Sequence, residues 1–386
     1  MKKFLTGFGL AMVLLWALSA NAAESSLKVS GYVLANYQTW VNDEGKYSVI
    51  ADGGDWLDDS RRGFNTFDVT RAYLTFQADL GDRFSANVTA DIKTDSDNLR
   101  RLFLKYAYVD IKNLWPDSKI RFGLQDPPWG SYIDNSLWRY RMVDQAFSNF
   151  WGLYPTADFG VGVMGGLLDD KVLYHLAVLN GEGYAGLETD RFKQYTGRLT
   201  LDLGSPDTFH ISPSVGGSLQ DFNDNAGFNY NVFNAGLGMD FLGRVHLAGE
   251  YAQGVLTMPE GALPLVKGVW PTGALDELAA VTDPEDLLSK DAHVNFAGGA
   301  VYADIKLADQ WNLFGRYDNY VPNTDSDFNA QNEWMWTAGI CYHPINNLWV
   351  TLDYRQLGFG ESDPDNDGQD ELEPYQIVYT HWKIAY

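Results

Sequence analysis

The chain has 386 residues and a formal charge of -23, from 51 acidic and 28 basic side chains, with a single cysteine, Cys341. One cysteine excludes an internal disulfide framework, and six scattered histidines offer no metal-ligand spacing. Aromatic residues make up 15% of the chain, yet beyond the N-terminal stretch no apolar run approaches the ~18 residues of a spanning helix, so any membrane crossing must use strands.

Lys2 and Lys3, the apolar run Phe4–Leu18 and the small-residue site Ala20-Asn21-Ala22 read as a secretory signal peptide, 1–22, cleaved after Ala22. The remainder, 23–386, is expected to be one domain. Leu27–Val41 alternates apolar and polar residues, and an acidic connection follows to Gly63. Phe64–Leu80 sets Ala72, Leu74, Phe76, Ala78 and Leu80 against Arg71, Tyr73, Thr75, Gln77 and Asp79, and turns at Gly81-Asp82. Alternation continues through Phe84–Lys93, Arg101–Asn113 and Ile120–Gln125.

There the pattern stops. Asp126-Pro127-Pro128 cannot donate to a sheet ladder, so the chain leaves the sheet and returns near Thr156. The insertion holds Trp129, Tyr132, Trp138, Tyr140, Trp151 and Tyr154, too aromatic for a freely solvated loop. It is either packed in a cavity or laid across a surface.

Beyond it the period of two resumes through Val161–Leu167, Lys171–Asn180, Tyr195–Leu203, Phe209–Gly217, Phe233–Phe241 and Val245–Tyr251. A long connection follows over 255–292, where Ala274–Ala280 and Pro284–Leu288 suit short helices. Asn295–Leu307, Trp311–Val321, Trp334–Tyr342, Leu348–Leu357 and Tyr375–Tyr386 complete the series. The count is about sixteen strands. Short turns near Gly81, Trp115, Asp169, Pro206, Gly243, Ala308 and Pro344 alternate with longer polar connections. The fold class expected is therefore all-β, a transmembrane antiparallel β-barrel of about 16 strands, with a soluble exported β-protein as the alternative. Val378, Thr380, Trp382, Ile384 and a terminal Tyr386 share one face, which resembles the C-terminal signal of outer-membrane barrels.

Several segments resemble the phosphate-selective porin O and P family and the wider group of sixteen-stranded Gram-negative porins. They are Phe67-Asp68-Val69-Thr70-Arg71-Ala72-Tyr73-Leu74, Lys105-Tyr106-Ala107-Tyr108-Val109-Asp110, Arg121-Phe122-Gly123 with Pro127-Pro128-Trp129-Gly130, Leu176-Ala177-Val178-Leu179-Asn180-Gly181, and Gly315-Arg316-Tyr317-Asp318. The resemblance implies a homotrimer whose third external loop, here 126–157, folds inward as a constriction. It does not carry phosphate selectivity across, because this loop contains no lysine.

Parity places Arg71, Lys93, Lys105, Arg121, Arg198, Arg316 and Arg355 on the polar, pore-lining face, together with acids such as Asp91, Asp240, Glu250 and Asp318. Trp138, Arg139 and Arg141 join them from the loop. Basic wall residues facing loop acids Asp134 and Asp144 would set a transverse field; the alternative is that the charges satisfy one another. Trp129, Trp138, Tyr140 and Trp151 either offer stacking faces to sugars or pack the loop against the wall. Connections 42–63, 255–292 and 358–373 carry six, seven and seven acidic residues against three, two and no basic ones, which favours cations at the mouth. Asp363, Asp365, Asp367 and Asp370 are a candidate calcium cluster, although an EF-hand register would place Pro374 at position twelve; the alternative is a solvated acidic loop bridged to lipopolysaccharide by divalent ions. No cofactor other than this structural calcium is implied, and no catalytic residues or nucleic-acid partner.

The expected function is passive diffusion of small hydrophilic solutes and ions with a weak cation preference, in contact with outer-membrane lipid and lipopolysaccharide. The alternatives are a channel specific for a sugar or for an organic or inorganic ion such as phosphate, and a barrel that sheathes a partner protein.

Overall fold

Every strand of the sheet shows one apolar and one polar face, and the two faces meet different surroundings. In the computed structural model, which describes residues 25–41, 63–94, 99–188, 191–222, 228–258, 292–321, 324, 332–359 and 374–386, sixteen strands close into one antiparallel barrel. They are β1 (Ser25–Trp40), β2 (Asn65–Leu80), β3 (Phe84–Thr94), β4 (Arg100–Lys112), β5 (Ser118–Gln125), β6 (Asp158–Leu167), β7 (Val172–Leu179) and β8, in two pieces (Gln194–Leu201 and Leu203–Ser205). The second half comprises β9 (Phe209–Phe222), β10 (Phe228–Phe241), β11 (Val245–Met258), β12 (Ala292–Ala308), β13 (Trp311–Val321), β14 (Glu333–Ile345), β15 (Leu348–Phe359) and β16 (Tyr375–Ala385). Each pairs with its sequence neighbours. Both pieces of β8 pair with β9, so they count as one strand.

Closure comes from β1 against β16, in register from Tyr32 opposite Ala385 to Trp40 opposite Ile377. At this seam the Gly31 and Tyr386 backbones exchange two hydrogen bonds of 3.0 Å. A Cβ on Gly31 would stand 2.2 Å from the Tyr73 carbonyl oxygen of β2 and 2.6 Å from the Tyr386 hydroxyl across the seam, so glycine is needed there.

The expected alternation is present. Leu74, Phe76, Val88, Leu199, Val301 and Leu352 are exposed on the outside, while Asp91, Thr200, Asn234, Arg316, Asp318 and Asp353 are buried on the inside. Lipid as the outer solvent explains why exposed side chains are the apolar ones. Trp115 and Trp311 are exposed at the short-turn end, whereas Trp40 packs edge-on against Tyr375 at 5.3 Å. The short turns use left-handed residues, with Leu168, Asp169 and Asp170 all near φ +60°.

Two features depart from simple alternation. β-bulges interrupt the β1–β2 ladder at Leu34/Ala35 and the β3–β4 ladder at Thr89/Ala90. β10 also begins earlier than its apolar pattern suggests, at Phe228, and pairs with β9 through to Phe222. The signal segment, the two candidate helices near 274–288 and the carboxylates Asp363, Asp365, Asp367 and Asp370 lie outside the described residues.

Candidate functional site: the 126–157 segment and the charged inner wall

Residues 126–157 lie between β5 and β6, within the boundaries set by the two prolines. The segment opens with Asp126, which receives Arg121 Nη1 at 2.9 Å and the Ser131 hydroxyl. Burial pushes the Asp126 carboxyl up, but the charges of Arg121 and His175 and the Ser131 hydrogen bond together outweigh it and hold the group below the usual carboxylate range. A helical turn, Gly130–Tyr132, runs into a π-helical stretch, Ile133–Trp138, which ends at Arg139 in the left-handed region (φ +66°). A second turn spans Phe147–Phe150.

The apolar side chains of this segment form the principal buried cluster of the protein: Trp129, Ile133, Leu137 and Phe147 are fully buried, and Trp138 and Trp151 are 1% exposed. The wall makes room for them. Trp129 lies over Gly216 and Gly236, where a Cβ would come within 2.9 and 3.2 Å of its ring. Rings so enclosed present no stacking face to a solute, so Trp129, Trp138 and Trp151 act as packing for the segment. Trp138 therefore does not line an open passage.

Polar anchors reach nine strands, counting Arg121 of β5 on Asp126 and Lys105 of β4 on Thr156. On β8, Arg198 Nε donates to the Pro128 carbonyl at 2.9 Å and its guanidinium stacks 4.1 Å from the Tyr132 ring; on β9, Ser214 meets the Tyr132 hydroxyl at 2.5 Å. On β10, Asp240 accepts both Arg139 terminal nitrogens, at 2.8 and 3.1 Å. Glu250 on β11 accepts from Ser148 at 2.8 Å, from Trp129 at 3.4 Å and from Tyr302 of β12 at 2.5 Å. Asp304 of β12 accepts the Tyr140 hydroxyl, and Asp318 of β13 accepts the Trp151 indole at 3.2 Å. Arg316, itself paired with Asp318, donates to the Gln145 carbonyl, and Arg355 of β15 meets Asp144 at 2.7 Å.

The charges expected to oppose one another across a gap are thus largely joined in pairs. Asp144 does face basic wall residues: burial raises its carboxyl, but Arg355 and then Arg316 bring it below the ordinary value. Asp134 instead pairs within the segment, with Arg141 Nε at 3.2 Å, and accepts the Ala146 amide at 2.6 Å and Asn149 at 2.9 Å. Its burial outweighs Arg141 and raises its carboxyl.

Strands β2–β5 carry the remaining basic residues. Arg71 pairs with Asp91 at 2.7 Å, and Arg121 pairs with Asp110 at 2.8 Å while lying 3.6 Å over the Tyr108 ring. Lys93 and Lys105 meet neither. Both stand over one ring, Tyr184, at 5.2 and 4.1 Å. Tyr184 and Thr156, which bonds Lys105, were not legible as site residues, because neither lies in a period-two run. The bulge beside Lys105 did leave a trace: outward Leu102 and Leu104 are followed by Ala107 and Val109, a spacing of three where two is expected.

No protein-family profile matches the sequence, and no curated protein does. Solved structures do resemble the fold. An anion-selective porin from Comamonas acidovorans aligns over 94% of this chain and 100% of its own with a TM-score of 0.61 at 10% identity. The outer membrane channel DcaP of Acinetobacter baumannii aligns over 95% and 99% with a TM-score of 0.60 at 14% identity. OmpT, an outer membrane protein of Vibrio cholerae solved in a trimer form, aligns over 94% and 100% with a TM-score of 0.56 at 10% identity. The chain thus has the sixteen-stranded barrel fold of Gram-negative outer-membrane porins.

Proposed function

We propose that this protein is an integral outer-membrane porin that passes small hydrophilic solutes and ions by passive diffusion, with no enzymatic activity. The observation that carries the reading is a closed sixteen-strand barrel with apolar residues outside and charged residues inside, which suits lipid on one side and water on the other. Residues 126–157 serve as the constriction, held to β8–β13 and β15 and, at its two ends, to β5 and β4, leaving Arg71 and Lys93 on the facing wall. The signal peptide delivers the chain to the envelope, and lipid and lipopolysaccharide surround it there. A homotrimer is the assembly proposed, in line with the trimer form of the Vibrio cholerae neighbour. Acidic mouth connections favour cations in the bulk current. A calcium ion on Asp363, Asp365, Asp367 and Asp370 belongs to the same proposal. A partner-sheathing barrel needs a wide bore, which the wall-bonded 126–157 segment argues against.

The test is purified protein in planar bilayers under a potassium chloride gradient, with and without residues 126–157. Channels that open, favour potassium and widen on deletion support the reading. Absence of channels in both forms overturns it.

A further inference from the structure

Strand β4 contains an extra residue relative to β3. Thr89 stands opposite Tyr106 and Ala90 opposite Leu104, so Lys105 has no partner of its own. A bulge turns two successive side chains to the same face. Here it directs Lys105 and Tyr106 inward together, while Leu104 before them and Val109 after them stay exposed outside. In an unbroken strand Lys105 would share the outward face of Val109.

The Lys105 residue so placed is 2% exposed. Its ammonium donates to the Thr156 hydroxyl, at the end of the 126–157 segment, and lies 4.1 Å from the Tyr184 ring centroid and 5.6 Å from that of Tyr106. Lys93 reaches the same Tyr184 ring at 5.2 Å and the Phe103 ring at 5.1 Å. Among the described residues no carboxylate comes within 4.0 Å of either ammonium. The nearby acids are committed elsewhere, Asp91 to Arg71 and Asp134 to Arg141. Tyrosine rings attract a cation but supply no countercharge, and an ammonium removed from water without an anion is strongly disfavoured. Two of the three Lys105 donors remain to be used.

We propose that Lys105, with Lys93 and the rings of Phe103, Tyr106 and Tyr184, forms a subsite for the carboxylate of a small organic acid. Few donors beside aromatic walls suit a two-oxygen anion on an apolar body better than a fully hydrated inorganic oxyanion. Tyr184, half-buried on the connection after β7, covers the lysine and has to yield for the anion to reach it. The subsite rests on the porin reading and makes that channel selective for one class of solute, while the acidic mouth governs small ions.

Single-channel currents with benzoate, benzamide or inorganic phosphate test this, alongside calorimetric titration of benzoate into the folded protein in detergent. Benzoate is expected to interrupt the current saturably, and its neutral amide is not. Lys105→Met raises the half-blocking concentration at least about tenfold, the loss expected for one charge-assisted contact. Lys105→Arg retains block, and Lys112→Met, which alters the distant pair with Asp79, leaves it unchanged. Equal block by benzamide, stronger block by phosphate, or an unchanged Lys105→Met channel overturns the subsite. If no channel opens yet benzoate titrates in a Lys105-dependent manner, the diffusion reading fails and the subsite stands; if channels open and benzoate neither blocks nor titrates, the reverse holds.

Discussion

Replacing Trp129 separates the two ways in which the 126–157 segment is held. Its indole is wholly buried over Gly216 and Gly236, and its Nε1 donates to Glu250 across a long 3.4 Å. Trp129→Ala removes the packing and the bond together and opens a cavity that the flanking glycines cannot fill, at a cost of about 3–5 kcal/mol. Trp129→Phe keeps most of the ring and loses only the N–H, and Glu250 retains Ser148 and Tyr302 as donors, so about 1 kcal/mol is expected. Guanidinium unfolding in detergent, followed by tryptophan fluorescence, measures both, and single-channel conductance reports whether the alanine variant also widens the passage. A phenylalanine variant as unstable as the alanine one would refute the packing argument. So would an alanine variant that costs under about 1 kcal/mol.

Two further outcomes follow from particular contacts. Gly31→Ala sets a methyl against the Tyr73 carbonyl of β2 and the Tyr386 hydroxyl at the seam, so folding yield, read as heat-dependent gel mobility, should fall, with a stability loss of about 2–3 kcal/mol in the fraction that closes. The Asp144 carboxyl is held below its ordinary value of about 4 by Arg355 and Arg316, so its contribution is present above that pH and is lost as pH falls through the lowered value. The difference in melting temperature between wild type and Asp144→Asn should therefore be constant from pH 7 to about 4.5 and shrink below it; a change centred near pH 6 would refute the assignment.

Much of this was legible from period two alone. A strand that alternates Leu74, Phe76 and Leu80 with Arg71, Tyr73 and Gln77 announces both its conformation and its two solvents, and a double proline marks where the ladder must end. Parity states which side a residue takes, but not whom it meets there. Arg355 and Asp144 are more than 200 positions apart, and nothing local couples them. Lys105 shows a limit at closer range: it lies on the inward side expected of it, but through a one-residue insertion rather than unbroken alternation, traced in the sequence by the three-residue step from Leu104 to Ala107. The glycines beneath Trp129 were equally silent, since a missing side chain in a strand has many causes.

Fifteen of the sixteen seams join strands adjacent in sequence, whereas the one between Tyr32 and Ala385 joins segments about 350 residues apart. Closing that distance costs about 3 kcal/mol more loop entropy than a ten-residue hairpin. The final pairing is thus the slowest to nucleate, and until it forms two long edges remain open to any other strand. A chain that emerges N-terminus first exposes one such edge throughout its synthesis. Its safe arrival therefore depends on something holding that edge until Tyr386 appears, which makes the seam a matter of timing as well as of geometry.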